Sequence, residues 1–223
     1  MAETTICVFA KPPVPGKSKT RLAAAIGVEQ AARLAEAFLL DTLHTLQQLD
    51  WADAVIAATE PFECAMMRTD QVWIQPQGTL DVRIEAMLRR ALKQSKFAIA
   101  IGADSPGLPI AYLRDARDRL QSKDAVLGPA KDGGFYLLGL RKCPAGLLHG
   151  IQWSLPTTME QTVQRLEQEG FSLAFLPEWF DVDITDDLSH LRTLLAQDVI
   201  RCSNTRAVME GINWPTLAAQ EKK

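Results

Sequence analysis

Three stretches of this chain carry side chains whose types and spacing suit phosphate or metal chemistry. The first, Lys11-Pro12-Pro13-Val14-Pro15-Gly16-Lys17-Ser18-Lys19-Thr20-Arg21, sets four cations in one short loop. Such a loop suits a side-chain grip on a di- or triphosphate. The other reading is a solvated basic loop at a helix start, where cations oppose the helix dipole. The second, Ile99-Ala100-Ile101-Gly102-Ala103-Asp104-Ser105-Pro106, ends an apolar run in glycine, an acid and a turn. Asp104 there is either a hard oxygen ligand for Mg²⁺ or Mn²⁺ or a cap for the helix after Pro106. The third is a pair, Gly128-Pro129-Ala130-Lys131-Asp132-Gly133-Gly134 and Asp181-Val182-Asp183-Ile184-Thr185-Asp186-Asp187. In extended chain Asp181 and Asp183 share one face, while Asp186 and Asp187 fall in a helix start; the alternative is that all four acids cap that helix.

Other chemistries are excluded. Gly16-Lys17-Ser18 matches the end of G-x-x-x-x-G-K-S/T, but that motif requires glycine where Lys11 stands. Pro12, Pro13 and Pro15 also have no N–H to offer a phosphate, so they stiffen the loop instead. His44 falls in a helical pattern and His149 and His190 have no evident partner, so no nucleophile, histidine and acid arrangement is legible. Cys7, Cys64, Cys143 and Cys202 are scattered singly, without zinc-ligand spacing, and read as reduced thiols.

These residues need a scaffold, and the apolar pattern supplies one. Thr4 to Ala10 is apolar and β-branched without alternation, as in a central parallel strand covered on both faces. Helical spacing follows from about Val28 to Leu49, then short strands at Ala54 to Ala58 and Val72 to Ile74. A helix carries Ile84, Met87, Leu88, Ala91 and Leu92; Phe97 to Ile101 is a strand, and a helix with Leu113, Ala116 and Leu120 precedes strands at Ala125 to Leu127 and Phe135 to Leu140. Thr157 with Glu160 fits a capping box, and Thr185 with Asp186 and Asp187 a second helix start. Repeated β-α-β order predicts an α/β fold with a doubly wound, mostly parallel, Rossmann-like sheet. Ligands of such sheets bind beyond the carboxyl ends of the strands, where all three stretches fall.

Composition agrees. The 223 residues are 47% hydrophobic and 23% charged, ordinary for a soluble globular chain. One domain over residues 1–203 is expected, followed by an appendage over 204–223 that forms a surface helix or is partly disordered. Net charge is -3, from 24 basic and 27 acidic side chains, which offers no field for a nucleic-acid backbone. No apolar run nears the roughly 20 residues of a membrane span, and the first is too short for a signal peptide, so a cytoplasmic protein is expected.

With these motifs in view, the segments from Phe9 to Leu22, Gly102 to Pro106 and Gly128 to Tyr136, with Trp153-Ser154 and Asp181-Val182-Asp183, resemble the bacterial glycosyltransferase A-like family often called selenodomain-associated transferases. That family is similar in fold to nucleotide-diphospho-sugar transferases, and more distantly to molybdenum cofactor and phospholactate guanylyltransferases. The resemblance implies a nucleotide or nucleotide-sugar donor, a small-molecule acceptor and a divalent metal, Mg²⁺ or Mn²⁺. It places Lys11, Gly16, Lys19 and Arg21 in the nucleotide loop, with Lys19 and Arg21 offsetting leaving-group charge. Asp104 matches a metal-binding, catalytic acid, Asp183 the later acid of the metal site, and Asp132, Gly133, Gly134 and Trp153 the acceptor side. Gln77-Gly78-Thr79-Leu80-Asp81-Val82-Arg83 keeps Gln77 and Arg83 for nucleotide contacts but has Asp81 where the family has glycine. Glycosyl transfer from a nucleotide sugar is the reading adopted. Nucleotidyl transfer onto a small phosphorylated or carboxylated acceptor with release of pyrophosphate is the first alternative, favoured by four loop cations. A non-catalytic nucleotide sensor is the second. Base, sugar, acceptor, stereochemical outcome and oligomeric state are not specified by these motifs.

Overall fold

The computed structural model describes residues 2–212. Its centre is a seven-stranded sheet built from β1 (Thr4–Ala10), β2 (Ala52–Ala58), β3 (Val72–Ile74), β4 (Phe97–Gly102), β5 (Ala125–Pro129), β6 (Phe135–Leu140) and β7 (Leu173–Phe175) in the order β3-β2-β1-β4-β6-β5-β7. All neighbours pair parallel except β6, which runs antiparallel to both β4 and β5. The sheet is thus mostly parallel, and one reversed strand interrupts it.

Strand β1 shows why its sequence lacks alternation. Ile6, Val8 and Ala10 pack into a layer with Leu39 and Leu43 of α2 (Val28–Leu46) and Leu113 and Leu120 of α4 (Ile110–Leu120). Cys7 enters the opposite layer with Ile84 and Leu88 of α3 (Leu80–Ala91) and Leu166 of α5 (Thr158–Gln168). A strand buried on both faces needs apolar residues at every position. A third cluster joins Leu22 of α1 (Thr20–Ile26) and Phe38 of α2 to Leu188 and Leu191 of α6 (Thr185–Ala196) and Met209 of α7 (Ser203–Glu210).

Several expectations are corrected. The helix expected to Leu49 stops at Leu46. The capping box at Thr157 does not form: α5 starts there, but the Thr157 hydroxyl accepts a bond from Gln161, and Thr158 bonds the Gln152 and Leu155 carbonyls instead. Helix α1 and strand β7 have no counterpart in the apolar pattern of the sequence. Of the expected appendage, residues 204–212 include most of α7, whose first amides Asn204 and Thr205 donate to the buried Asp41 carboxylate of α2. Residues 213–223, Pro215 among them, lie outside the described residues.

Order 3-2-1-4 puts the reversal of winding between β1 and β4, which pair as far as Phe9 against Gly102. A crevice opens there past the carboxyl ends of both strands. Lys11 and Asp104, distant in sequence, leave the sheet side by side.

Candidate active site

Lys19 organises the crevice. The loop after β1 is tied by amides of Lys17 and Ser18 donating to the Val14 carbonyl, and it enters α1 through Lys19 in a left-handed conformation, φ 48°. That turns the side chain inward, where it is 5% exposed. Its ammonium donates to Asp104 Oδ1 at 2.8 Å, Asp183 Oδ1 at 2.8 Å and the Val182 carbonyl at 2.7 Å. Burial alone would lower the Lys19 pKa; Asp104 and Asp183 outweigh it and hold the amine protonated above its usual range. Lys19 is therefore not a solvated loop cation, the alternative to a phosphate grip, and its ammonium is engaged by the two acids.

The chain from 176 to 183 carries the later acids in by backbone pairing. Leu176 and Trp179 amides donate to Leu127 and Pro129, and the Val182 amide donates to the Asp104 carbonyl at 2.9 Å. The Asp187 carboxylate accepts the amides of Asp183 and Ile184, fixing Asp183 at the start of α6. Of the four acids, Asp187 does cap this helix, while Asp181 and Asp183 line the crevice. Burial raises Asp183, but Lys19, with Arg21 and Lys11 behind it, more than compensates and holds it below the usual carboxylate range. Asp181 goes the other way: burial, then Asp132 and Asp183, push it up to about 6. Asp104 caps no helix among the described residues, since α4 begins at Ile110 with Pro109 as its cap.

Two chambers meet at these acids. The larger, about 560 Å³, is lined by Lys11, Lys17, Lys19, Arg21 and Arg83 and lies within the size range of small-molecule sites, about 300–1,000 Å³. Arg83 donates to Gln75 at 3.3 Å, and its Nε is buried without a partner among the described residues. Gln75, buried and bonded to the Ala57 carbonyl, was missed by sequence reasoning; its place just beyond β3 was the available signal. Lys17 turns to Glu60 at 3.3 Å. Gln77 and Gly16 are exposed and line neither chamber, and Asp81 lies nearer His149, at 3.9 Å. The family position occupied by Asp81 thus falls outside the crevice wall.

The smaller chamber, about 270 Å³, is lined by Asp132, Gly134, Trp153 and Asp181, with Asp104 and Asp183 shared. The Asp132 carboxylate accepts the Gly134 amide at 2.8 Å, closing a tight turn. Gly133 lies just behind that turn at φ +87°, and a Cβ there would come within 2.1 Å of the Pro156 carbonyl oxygen, so the turn can rest on the entrance of α5 only with glycine.

Among the described residues, no group of three or more His, Cys, Asp or Glu side chains is arranged to hold a metal by itself. Asp104 and Asp183, at 53% and 46% exposed, still face the crevice beyond their bond to Lys19. Two such carboxylates suit a hard cation whose remaining ligands are substrate phosphates and water.

The family model of DUF2064, described as an uncharacterized protein conserved in bacteria, matches residues 39–155. A solved protein of Desulfovibrio desulfuricans G20, described provisionally as a nucleotide-diphospho-sugar transferase, superposes with TM-score 0.85 at 31% identity, covering 95% of each chain. CMP:2-keto-3-deoxy-manno-octonic acid synthetase, solved with CTP, gives TM-score 0.53 at 14% identity over 88% of this chain and 100% of that one. 4-Diphosphocytidyl-2C-methyl-D-erythritol synthase of Anaerococcus prevotii DSM 20548 gives 0.53 at 9% over 87% and 99%. The last two show a shared fold alone. No curated protein matches the chain.

Proposed function

We propose that this chain, which belongs to the bacterial family DUF2064, is a metal-dependent transferase that takes a nucleotide sugar in the basic chamber and passes its glycosyl group to an acceptor in the smaller one. The observation that carries this reading is the meeting of Asp104 and Asp183 on one buried cation, at the seam between a basic and an acidic chamber.

Lys11 and Arg21 bind donor phosphates by charge, and Arg83 with Gln75 closes the far end of the same chamber. Lys19 does not reach for phosphate; it holds two carboxylates in register so that their outer oxygens face the seam. A divalent ion held by Asp104 and Asp183 would supply charge neutralisation for the donor phosphates and the departing diphosphate. The turn at Asp132 and the wall at Trp153 orient the acceptor. Catalysis on this scheme is positioning and electrostatics, with no covalent protein intermediate.

Loop charge favours glycosyl over nucleotidyl transfer. Four cations would suit a triphosphate, but Lys17 turns to Glu60 and Lys19 to the acids, which leaves Lys11 and Arg21 for a diphosphate. The test is a thermal-shift panel of nucleotide sugars and nucleoside triphosphates, with and without Mg²⁺ or Mn²⁺. A ligand at about 100 times its Kd stabilises by about 2.7 kcal/mol. Products from each hit then separate the readings: nucleoside diphosphate supports glycosyl transfer, pyrophosphate supports nucleotidyl transfer, and binding without turnover supports a sensor.

A further inference from the structure

The two chambers differ in charge. Among the described residues no lysine or arginine lines the smaller one, and four carboxylates do: Asp104, Asp132, Asp181 and Asp183. Lys19 pairs with Asp104 and Asp183, whereas Asp132 and Asp181 have no ion-pair partner among the described residues. The remaining wall is mostly apolar and aromatic, with the hydroxyl side chains of Ser105, Ser154, Thr158 and Tyr136 set in it. Phe9, Leu80 and Ile84 form one side, and Phe135 meets Trp153 edge to face at 5.9 Å and 73°.

An anion entering this chamber would exchange water for the unpaired carboxylates of Asp132 and Asp181, while the Lys19 ammonium, and a metal where one is bound, are already engaged by Asp104, Asp183 and the donor phosphates, in a setting that screens repulsion less than bulk water does. A flat apolar face loses little hydration and gains the Phe135 and Trp153 rings. We propose that the acceptor is an uncharged or cationic molecule with an apolar, planar face and a hydroxyl or amine, and that phosphorylated and carboxylated acceptors are turned away. Naming this molecule the acceptor rests on the transferase reading; the charge selectivity of the chamber does not.

A matched pair of probes differing only in charge tests this on the full chain: phenyl β-glucoside, neutral, and phenyl β-glucuronide, its carboxylate counterpart. Saturation-transfer NMR should show the glucoside bound about tenfold or more tightly than the glucuronide. Trp153→Ala should lose the glucoside signal while keeping the nucleotide-induced thermal shift. The exposed Leu155→Lys, which leaves the core untouched and adds a cation at the rim, should narrow the difference between the probes. Equal affinities, a preference for the glucuronide, no glucoside binding, or full binding by folded Trp153→Ala would each overturn the proposal. Nucleotide stabilisation measured on the same samples separates the two claims. Selective glucoside binding without it sinks the transferase reading and leaves the selectivity, and the reverse pattern does the opposite.

Discussion

Burying an ammonium ion costs several kcal/mol unless it is paired, and Lys19 is paired three ways. Removing it strands two carboxylates against each other. Lys19→Met should therefore lower stability, toward the low end of about 3–5 kcal/mol because both acids are half exposed, as read by urea denaturation. An unchanged midpoint would mean the cluster carries no structural load. Arg21 is different in kind: it is exposed and bears on no core residue. Arg21→Ala should weaken the best nucleotide by about 1.5–3 kcal/mol with little change in melting temperature, and wild-type affinity would remove it from the phosphate grip. Sequence showed both as loop cations and could not tell them apart. What distinguishes them is Asp183, which arrives from the far end of the chain and whose approach no local pattern encodes. Cys7 sits in the apolar run of β1 and is fully buried, which pushes its thiol up to about 12. It should resist alkylation in the native protein at neutral pH, and rapid native labelling by mass spectrometry would contradict that.

At the scale of elements, segments that show an apolar pattern were legible, the three-residue β3 among them, and α1 and β7 were not. Strand β4 and helix α3 stand where the apolar pattern puts them, because each buries enough surface for its periodicity to show. Strand β7 buries only Ala174 of its three residues and is paired on one side alone, at the edge of the sheet, and α1 begins in a loop whose prolines and charges hide it. What fixes β7 is a clamp at its entrance: the Asp124 carboxylate accepts the Ser172 amide and hydroxyl at 2.9 and 2.7 Å. Those bonds, the amide first, hold Asp124 below its ordinary value. A depressed carboxylate contributes stability above its unfolded pKa, about 3.9, and loses it as pH falls through the lower folded value. Protection of the Leu173–Phe175 amides, taken relative to intrinsic exchange at each pH, should therefore fall in acid, and Asp124→Ala should show the lower protection already at neutral pH. The tight turn from Asp132 to Gly134 packs Gly133 against the Pro156 carbonyl while Gly134 lines the smaller chamber. Gly133→Ala meets both a left-handed φ and the Pro156 carbonyl, so it should displace the smaller chamber's wall and reduce glucoside binding more than nucleotide binding.

Across the whole molecule, the fold makes one crevice by reversing its winding beside β1; of the site residues named from sequence, Lys11, Lys19, Arg21, Arg83, Asp104, Asp132, Gly134, Trp153 and Asp183 line it, while Gly16, Gln77 and Gly133 do not. No helix among the described residues is long and apolar enough to cross a membrane. The account rests on Asp104 serving as a metal ligand, and Asp104→Asn isolates that claim, since asparagine keeps the size and a hydrogen bond to Lys19 but gives up the charge a hard cation needs. Calorimetry of Mg²⁺ or Mn²⁺ with the best nucleotide bound is the direct measurement. Metal-dependent binding and turnover are expected to disappear in a variant that still folds; unchanged metal affinity in Asp104→Asn would contradict the mechanism at its centre.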